Sequence, residues 1–537
     1  MVAMVTKAIA AAVLSAILLW VASPAVGAGW LAWIALVPVA VVVLAHAGSL
    51  AARLAVPLAY ALYLELLLVP ALPFGLADGQ WGDAAIPVMV GDSPVLPVAL
   101  IAIPLFGLLL YLVRFGEPWG AELVGPRLSS AASVVVPAAA WVALDLVRVK
   151  LDPGAAWGPL FVTQVDTPAS ELATLGGPWL VTLAIVACNY GLAVAIVRRR
   201  PAPALVPAVA VAAAVLATPA LDGDPGDRET VAVAAVQPGY DTAEDETQPR
   251  LLRHWDDGSF NLAARDLIHD LGGMTRRAAR DGAELVVWPE AVTFVDLLER
   301  RGARARLSEV ARTAGVAIVA PYFDHTSSTG AAIVAGPGGR VSGSRPKQRP
   351  MWFLGEEGDA APAPRPIGAM GIRVGTLLGI DVQDPNLARV LAAEDSDLIA
   401  SSTHDWRQLA AQHRALAALD AVAAGVPLVK ADWRYGSAIY DRDGETLADA
   451  GEARRRTIVA AEIAPGAPTP YAHAGDVVGW ISLALAAAAF LAASVRRVAT
   501  RAAARVSGDR GPRRGSRRRR PSPAPPRAGG DRSPQPP

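Results

Sequence analysis

The chain has 537 residues, with 49 Lys and Arg against 49 Asp and Glu, 53% hydrophobic residues, only 18% charged ones and a mean hydropathy of +0.35. That composition excludes a single soluble globule and points to a polytopic membrane protein with more than one structural unit. The lone cysteine, Cys188, excludes an intrachain disulfide and a cysteine metal cluster.

Crossing a hydrocarbon layer takes about 20 apolar residues. Eight runs qualify, centred near residues 15, 38, 62, 104, 139, 186, 211 and 486. The first follows Lys7 and ends in small residues as a signal peptide would, but the spans behind it make it a first membrane helix. Pro38 and Pro57 are tolerable inside spans, where neighbouring helices satisfy freed carbonyls. Cys188 falls in the sixth run, "LVTLAIVACNYGLAVAIV", as a small packing residue. Among acids at membrane depth, Asp145 has Arg148 one turn away, while Glu65 has no local partner. Trp81, Trp157 and Trp480 fit an interfacial aromatic belt.

Lys7, Arg53, Arg114 with Arg127, the Arg triplet at 198–200 and the Arg-rich end after residue 495 all fall on one side of an eight-span zigzag. By the charge rule that side is the cytoplasm, with Arg148 and Lys150 as the exception. The segment from about 222 to 472 then faces outward. The tail 498–537, rich in Arg, Pro, Gly and Ser, cannot build a core; it is expected to be a disordered cytoplasmic arm serving as a topology anchor or meeting anionic lipid.

Within 222–472 the pattern changes to short apolar strands alternating with amphipathic helices, which predicts an α/β layered domain. "TVAVAAVQPG", "AELVVWPE", "VAIVAPYF", "IRVGTLLGI", "SDLIASS" and "VPLVKA" read as strands, and "AAIVAGPGGRVSG" as a hairpin with a Gly-rich turn. Three strand ends carry reactive groups: Glu290, Lys347 and Asp381. Ligand sites of α/β sheets collect at such ends. Each also has a plainer reading: Glu290 as a helix-start carboxylate, Lys347 as a solvated loop cation, Asp381 as the N-cap of a helix beginning near Pro385. His404 and His413 read as polar-face histidines, and no His and carboxylate pair stands at metal-ligand spacing near these ends.

Taken together, the order strand-Glu, loop-Lys, strand-end residue, set between spans, resembles the apolipoprotein N-acyltransferases, membrane members of the nitrilase superfamily. The resemblance rests on "AELVVWPEAVTF", "KQRPMWFLGEEG", "GIDVQDP", "SSTHDWRQLAAQHRALAAL" and "WVALDLVRVKLDPGAAWGPLFVTQ". It implies a helical membrane domain over 1–221, an extracytoplasmic nitrilase-like αββα sandwich over 222–472, a last span over 473–497 and the tail over 498–537. The membrane implied is the bacterial cytoplasmic one. The implied chemistry is a two-step acyl transfer: a Cys thiolate attacks a phospholipid ester, then passes the acyl group to the N-terminal diacylglyceryl-cysteine of a lipoprotein. Glu290 takes the place of the general base, Lys347 of the oxyanion partner, and Glu356 of a second carboxylate, with Trp352 and Gln383 as binding residues. Neither a cofactor nor a metal is implied, and the partners are lipid and lipoprotein, not nucleic acid.

The chain departs from the family where the chemistry is concentrated. Asp381 stands at the nucleophile position, Gln383 where a Glu is usual, and Asp420 and Ala423 where an Arg and a Glu are expected. Asp381 keeps a negative charge to face Lys347, so the fold is expected to survive. A carboxylate attacking an ester gives a mixed anhydride, far more labile to water than a thioester. Two functions follow: an acyltransferase with altered chemistry, or a catalytically silent homologue that binds phospholipid or lipoprotein as an accessory, with an active paralogue beside it.

Overall fold

The computed structural model describes residues 2–46, 48–68, 89–90, 93–94, 119–150, 157–218, 229–239, 260–291, 293, 296–324, 326–350, 356–358, 363–405, 407–453 and 455–508. The run centred near 104, Trp81, Arg114, Trp352 and the tail beyond 508 lie outside them, as do the side chains of Glu65 and Arg127.

Among the described residues, four helices are long and apolar enough to cross a membrane, Val2–Ala22, Ser130–Lys150, Pro168–Arg198 and Val477–Val495. Shorter apolar helices cover Gly29–Ala45, Leu50–Leu64 and Ala202–Ala217. Each of the seven holds one of the expected centres. We label the helices α1 (Val2–Ala22), α2 (Val37–Ala45), α3 (Leu50–Leu68), α4 (Trp119–Lys150), α5 (Leu172–Arg198) and α6 (Ala202–Ala217). Pro57 sits inside α3, and α5 bends where Gly176 and Gly177 leave helical geometry ahead of Pro178.

The α/β part follows the predicted order. One sheet contains β1 (Val231–Gln237), β2 (Leu285–Val287), β3 (Ala317–Asp324), β4 (Thr329–Ala335), β5 (Val341–Pro346) and β12 (Thr457–Ile463). The other contains β6 (Ile367–Ala369), β7 (Ile372–Leu378), β8 (Leu398–Thr403), β9 (Leu428–Asp432), β10 (Ala438–Tyr440) and β11 (Thr446–Asp449). Their orders, β12-β1-β2-β3-β4-β5 and β11-β10-β9-β8-β7-β6, each have three parallel strands at the centre and antiparallel edges. Period-two alternation sends Val233, Ala235, Leu285 and Val287 inward against Val374, Ala400 and Val429 of the opposite sheet.

The outer face of the first sheet packs on α7 (Phe260–Arg280) and α8 (Arg301–Ala314) through Val286, Ile318, Leu271 and Leu307. The outer face of the second packs on α9 (Pro385–Ala393) and α10 (Arg407–Ala424), and that core continues without a break into the membrane helices, joining Leu416 and Val422 to Tyr63, Trp141 and Trp179. Covered on both sides, α10 is buried along nearly its whole length, Gln412, His413 and Asp420 included. The last helix, α11 (Val477–Gly508), runs ten residues past the expected start of the tail, in keeping with its Ala and Arg content.

Polar contacts tie the bundle to the sandwich. Lys150, ending α4, pairs with Asp384 at 3.4 Å and Asp476 at 3.0 Å, while Arg148 pairs with Asp145 at 3.3 Å and bonds Tyr60. The two cations that break the charge rule are thus held by acids and a phenol. Trp179 Nε1 donates to Asp476 Oδ1 at 2.7 Å, and the Tyr471 ring lies against Gly177, where a Cβ would collide with it.

Candidate functional site

The site gathers where the parallel strands of both sheets end. After β2 the chain passes Trp288 and Pro289 to Glu290, three residues beyond the strand in a turn rather than at a helix start. Ser402 Oγ donates to the Trp288 carbonyl at 2.7 Å and Trp433 Nε1 to the Glu290 carbonyl at 2.7 Å, which fixes that turn from the second sheet. Lys347 follows β5, its amide donating to the Gly330 carbonyl at 2.9 Å. Its ammonium lies 2.9 Å from Glu290 Oε1 and 2.8 Å from Glu356 Oε1. Lys347 is 6% exposed, so it is no solvated loop cation.

Asp381 sits inside a 3-10 turn, Gly379–Gln383, that follows β7. Gly379 opens the turn with φ +52°, and a Cβ there would stand 2.6 Å from both Glu290 carboxylate oxygens. Only glycine lets β7 turn against Glu290 so closely. The Asp381 carboxylate accepts three backbone N–H groups: Leu378 at 3.0 Å, Gln348 at 3.2 Å and Arg349 at 2.7 Å. The helix N-cap is Asp384, whose side chain accepts from Asn386 N, so the capping role considered for Asp381 belongs three residues on.

The direct pairing of Asp381 with Lys347 expected from charge is not what holds the lysine. Its ion pairs are with Glu290 and Glu356, and the acid at 381 occupies an amide nest beside them. Arg349 extends the nest outward, with Nη2 2.5 Å from Asp384 Oδ2 and 3.1 Å from the Val149 carbonyl of α4. The backbone of 347–349 therefore touches the site on one side and the end of a membrane helix on the other.

Electrostatics follow from burial. Desolvation pushes the Asp381 carboxyl up to about 7, against the pull of Lys347 and the three amides. Glu290 is likewise raised by burial, with Lys347 opposing and Glu356 adding to the rise. Burial alone would lower Lys347, but Glu290 and Glu356 outweigh it and hold the ammonium above its ordinary range. The lysine is a fixed cation.

Beside this set lies a buried network that sequence reasoning did not assemble. His413 Nδ1 is 2.6 Å from Asp405 Oδ1, its Nε2 is 2.7 Å from Gln383 Nε2, and Lys430 Nζ is 2.8 Å from Asp405 Oδ2 and 3.6 Å from Asp432 Oδ2. Burial works against the ionised Asp405, yet His413 and Lys430 hold its carboxyl well below the usual range. His413 is thus a buried anchor for Gln383 rather than a polar-face residue, while His404 precedes α10 and sits by the Trp433 ring. The available signal was Lys430 and Asp432 in the otherwise apolar strand "LVKAD". Asp420 is buried on α10 and raised by desolvation and by Asp384. Cys188 is half-buried on α5, within a membrane helix.

A family model described as the apolipoprotein N-acyltransferase N-terminal domain matches residues 15–191, and one described as carbon-nitrogen hydrolase matches residues 232–467. The chain belongs to the apolipoprotein N-acyltransferase family, within the nitrilase superfamily. An apolipoprotein N-acyltransferase of Vibrio cholerae serotype O1 is 24% identical over 247 residues, covering 44% of this chain and 45% of that protein. The match thus spans about half the length of that relative. Among solved structures, an amidase from Nesterenkonia sp. is similar at 19% identity and TM-score 0.35 over 46% of this chain and 94% of its own. A carbon-nitrogen hydrolase from Helicobacter pylori G27 is similar at 17% identity and TM-score 0.35 over 44% of this chain and 89% of its own. In this member of the family, the acid Asp381 occupies the amide nest beside Glu290, Lys347 and Glu356.

Proposed function

We propose that this chain is a phospholipid- and lipoprotein-binding member of the apolipoprotein N-acyltransferase family in which the acyl-enzyme step is disabled. The observation that carries the reading is the state of Asp381: both carboxylate oxygens are taken up by backbone amides. A nucleophile needs a lone pair free to meet a carbonyl carbon, with a base aimed at its proton. Here Glu290 faces Lys347 instead. An Asp381 ester adduct would be an anhydride, and water would compete with the amine for it.

Glu290, Lys347 and Glu356 are on this reading a retained framework, Trp352 a binding residue, and Gln383 a buried support for the site held by His413. The α/β domain stands on the outer face of a bacterial cytoplasmic membrane, an orientation supported by the basic residues at Lys7, Arg53 and 198–200. The binding role is accessory, beside an active paralogue that supplies the thiol chemistry.

Complementation tests the reading. Cells depleted of their own apolipoprotein N-acyltransferase would receive the wild-type chain, Asp381→Cys, or Asp381→Cys with Gln383→Glu, and lipoprotein N-termini would be followed by mass spectrometry. The wild type is expected to leave lipoproteins unacylated, with acylation regained in a Cys variant. Acylation by the wild type would overturn the proposal.

A further inference from the structure

A cavity of about 530 Å³ opens between α4, α5 and α6 and contains none of Glu290, Lys347, Glu356 or Asp381. Leu183, Ala184 and Ala187 of α5 line it, with Val134 of α4 and Val206 of α6, and Ser130 is its one polar lining residue among those described. Helix α6 buries no residue of its own, although it is apolar along its whole length. It is pinned to α5 near one end, where Gly191 leaves room for Pro203 and Pro207.

That same end carries the charge. Arg198 Nη1 donates to Ser130 Oγ at 2.5 Å, placing a half-buried guanidinium at the mouth of the groove, and the exposed Arg199 and Arg200 follow it. The other end of α5, at Gly177, meets the α/β domain through Tyr471, so the three arginines stand at the opposite face of the bundle.

We propose that this groove holds one anionic phospholipid, an acyl chain between α4, α5 and α6 and its phosphate against Arg198, Arg199 and Arg200. The volume lies within the range of roughly 300–1,000 Å³ typical of small-molecule sites. In hydrocarbon the molecules at hand to fill an apolar groove are lipid tails, which are as apolar as leucine, so selection falls to the headgroup. Guanidinium groups recognise phosphate by charge and by paired hydrogen bonds. The site is separate from the one around Asp381 and does not rest on its chemistry.

Native mass spectrometry of the full chain in a non-ionic detergent tests this, with phosphatidylglycerol or phosphatidylcholine of identical tails as probes. The wild type is expected to retain phosphatidylglycerol about tenfold better. An Arg198→Gln, Arg199→Gln, Arg200→Gln triple variant should lose that preference while still holding either lipid. Ala187→Trp should displace both; Val206→Trp, whose parent side chain is exposed, gives the same reading if the first does not fold. A preference that survives the triple variant belongs to other cations and overturns the proposal. Equal retention of the two lipids by the wild type, or Trp variants that bind as it does, also overturns it.

Discussion

Gly379 decides how closely the turn carrying Asp381 can approach Glu290. Its positive φ costs a residue with a side chain about 1–2 kcal/mol. The added methyl would also push the Glu290 carboxylate off Lys347. Gly379→Ala is expected to lower stability by about 2–3 kcal/mol in all, seen as a fall in thermal midpoint in detergent; an unchanged midpoint would mean the turn is not held against Glu290. Asp420 has the opposite sign, because a buried acid with one oxygen lacking a partner is a burden on the fold. Asp420→Leu is expected to raise stability by about 1–3 kcal/mol, and a lower midpoint would contradict this. Asp381 links the site to pH. Its carboxyl is raised from 3.8 to about 7, so the associated stability is complete below the unfolded value and is lost as pH climbs through the folded one. Against Asp381→Ser in denaturant, the wild type should lose ground between pH about 4 and about 7. Parallel curves would show that Asp381 does not titrate there.

Among the elements, the segment 347–349 that follows β5 joins two functions. It presents Lys347 to the acids and, through Arg349, grips Asp384 and the end of α4. Arg349→Ala removes one of the two cations that pair with Asp384 and leaves Lys150 as the other; it is expected to cost about 3 kcal/mol and to raise hydrogen exchange together in residues 378–383 and 145–150. Faster exchange in only one of the two would show that they are not coupled. The strands, the Gly-turn hairpin and the apolar helices were legible from period and turn chemistry, because those signals are local. The ends of elements were not. Asp381 and Asp384 stand four residues and one residue before Pro385, and the choice of cap depends on which carboxylate the amides of 348 and 349 claim from across the fold. The helix pattern of α10 reads His413 as a polar-face residue for a similar reason: it cannot reveal that Asp405 and Gln383 close over the ring from elsewhere in the α/β domain.

At the scale of the molecule, the continuous core from α1 through α5 to α9 and α10 makes the second sheet rest on the membrane bundle, so the site is built on a fixed platform. The acid at position 381 was readable in one letter of sequence. Its setting, a carboxylate held in an amide nest while Lys347 pairs with Glu290 and Glu356, required the fold. The most direct measurement is the intact mass of the purified chain after incubation with phospholipid vesicles, with and without hydroxylamine, beside Asp381→Cys. The wild type should show no acyl adduct and the Cys variant a hydroxylamine-sensitive one; a hydroxylamine-sensitive adduct on the wild type would contradict the central claim.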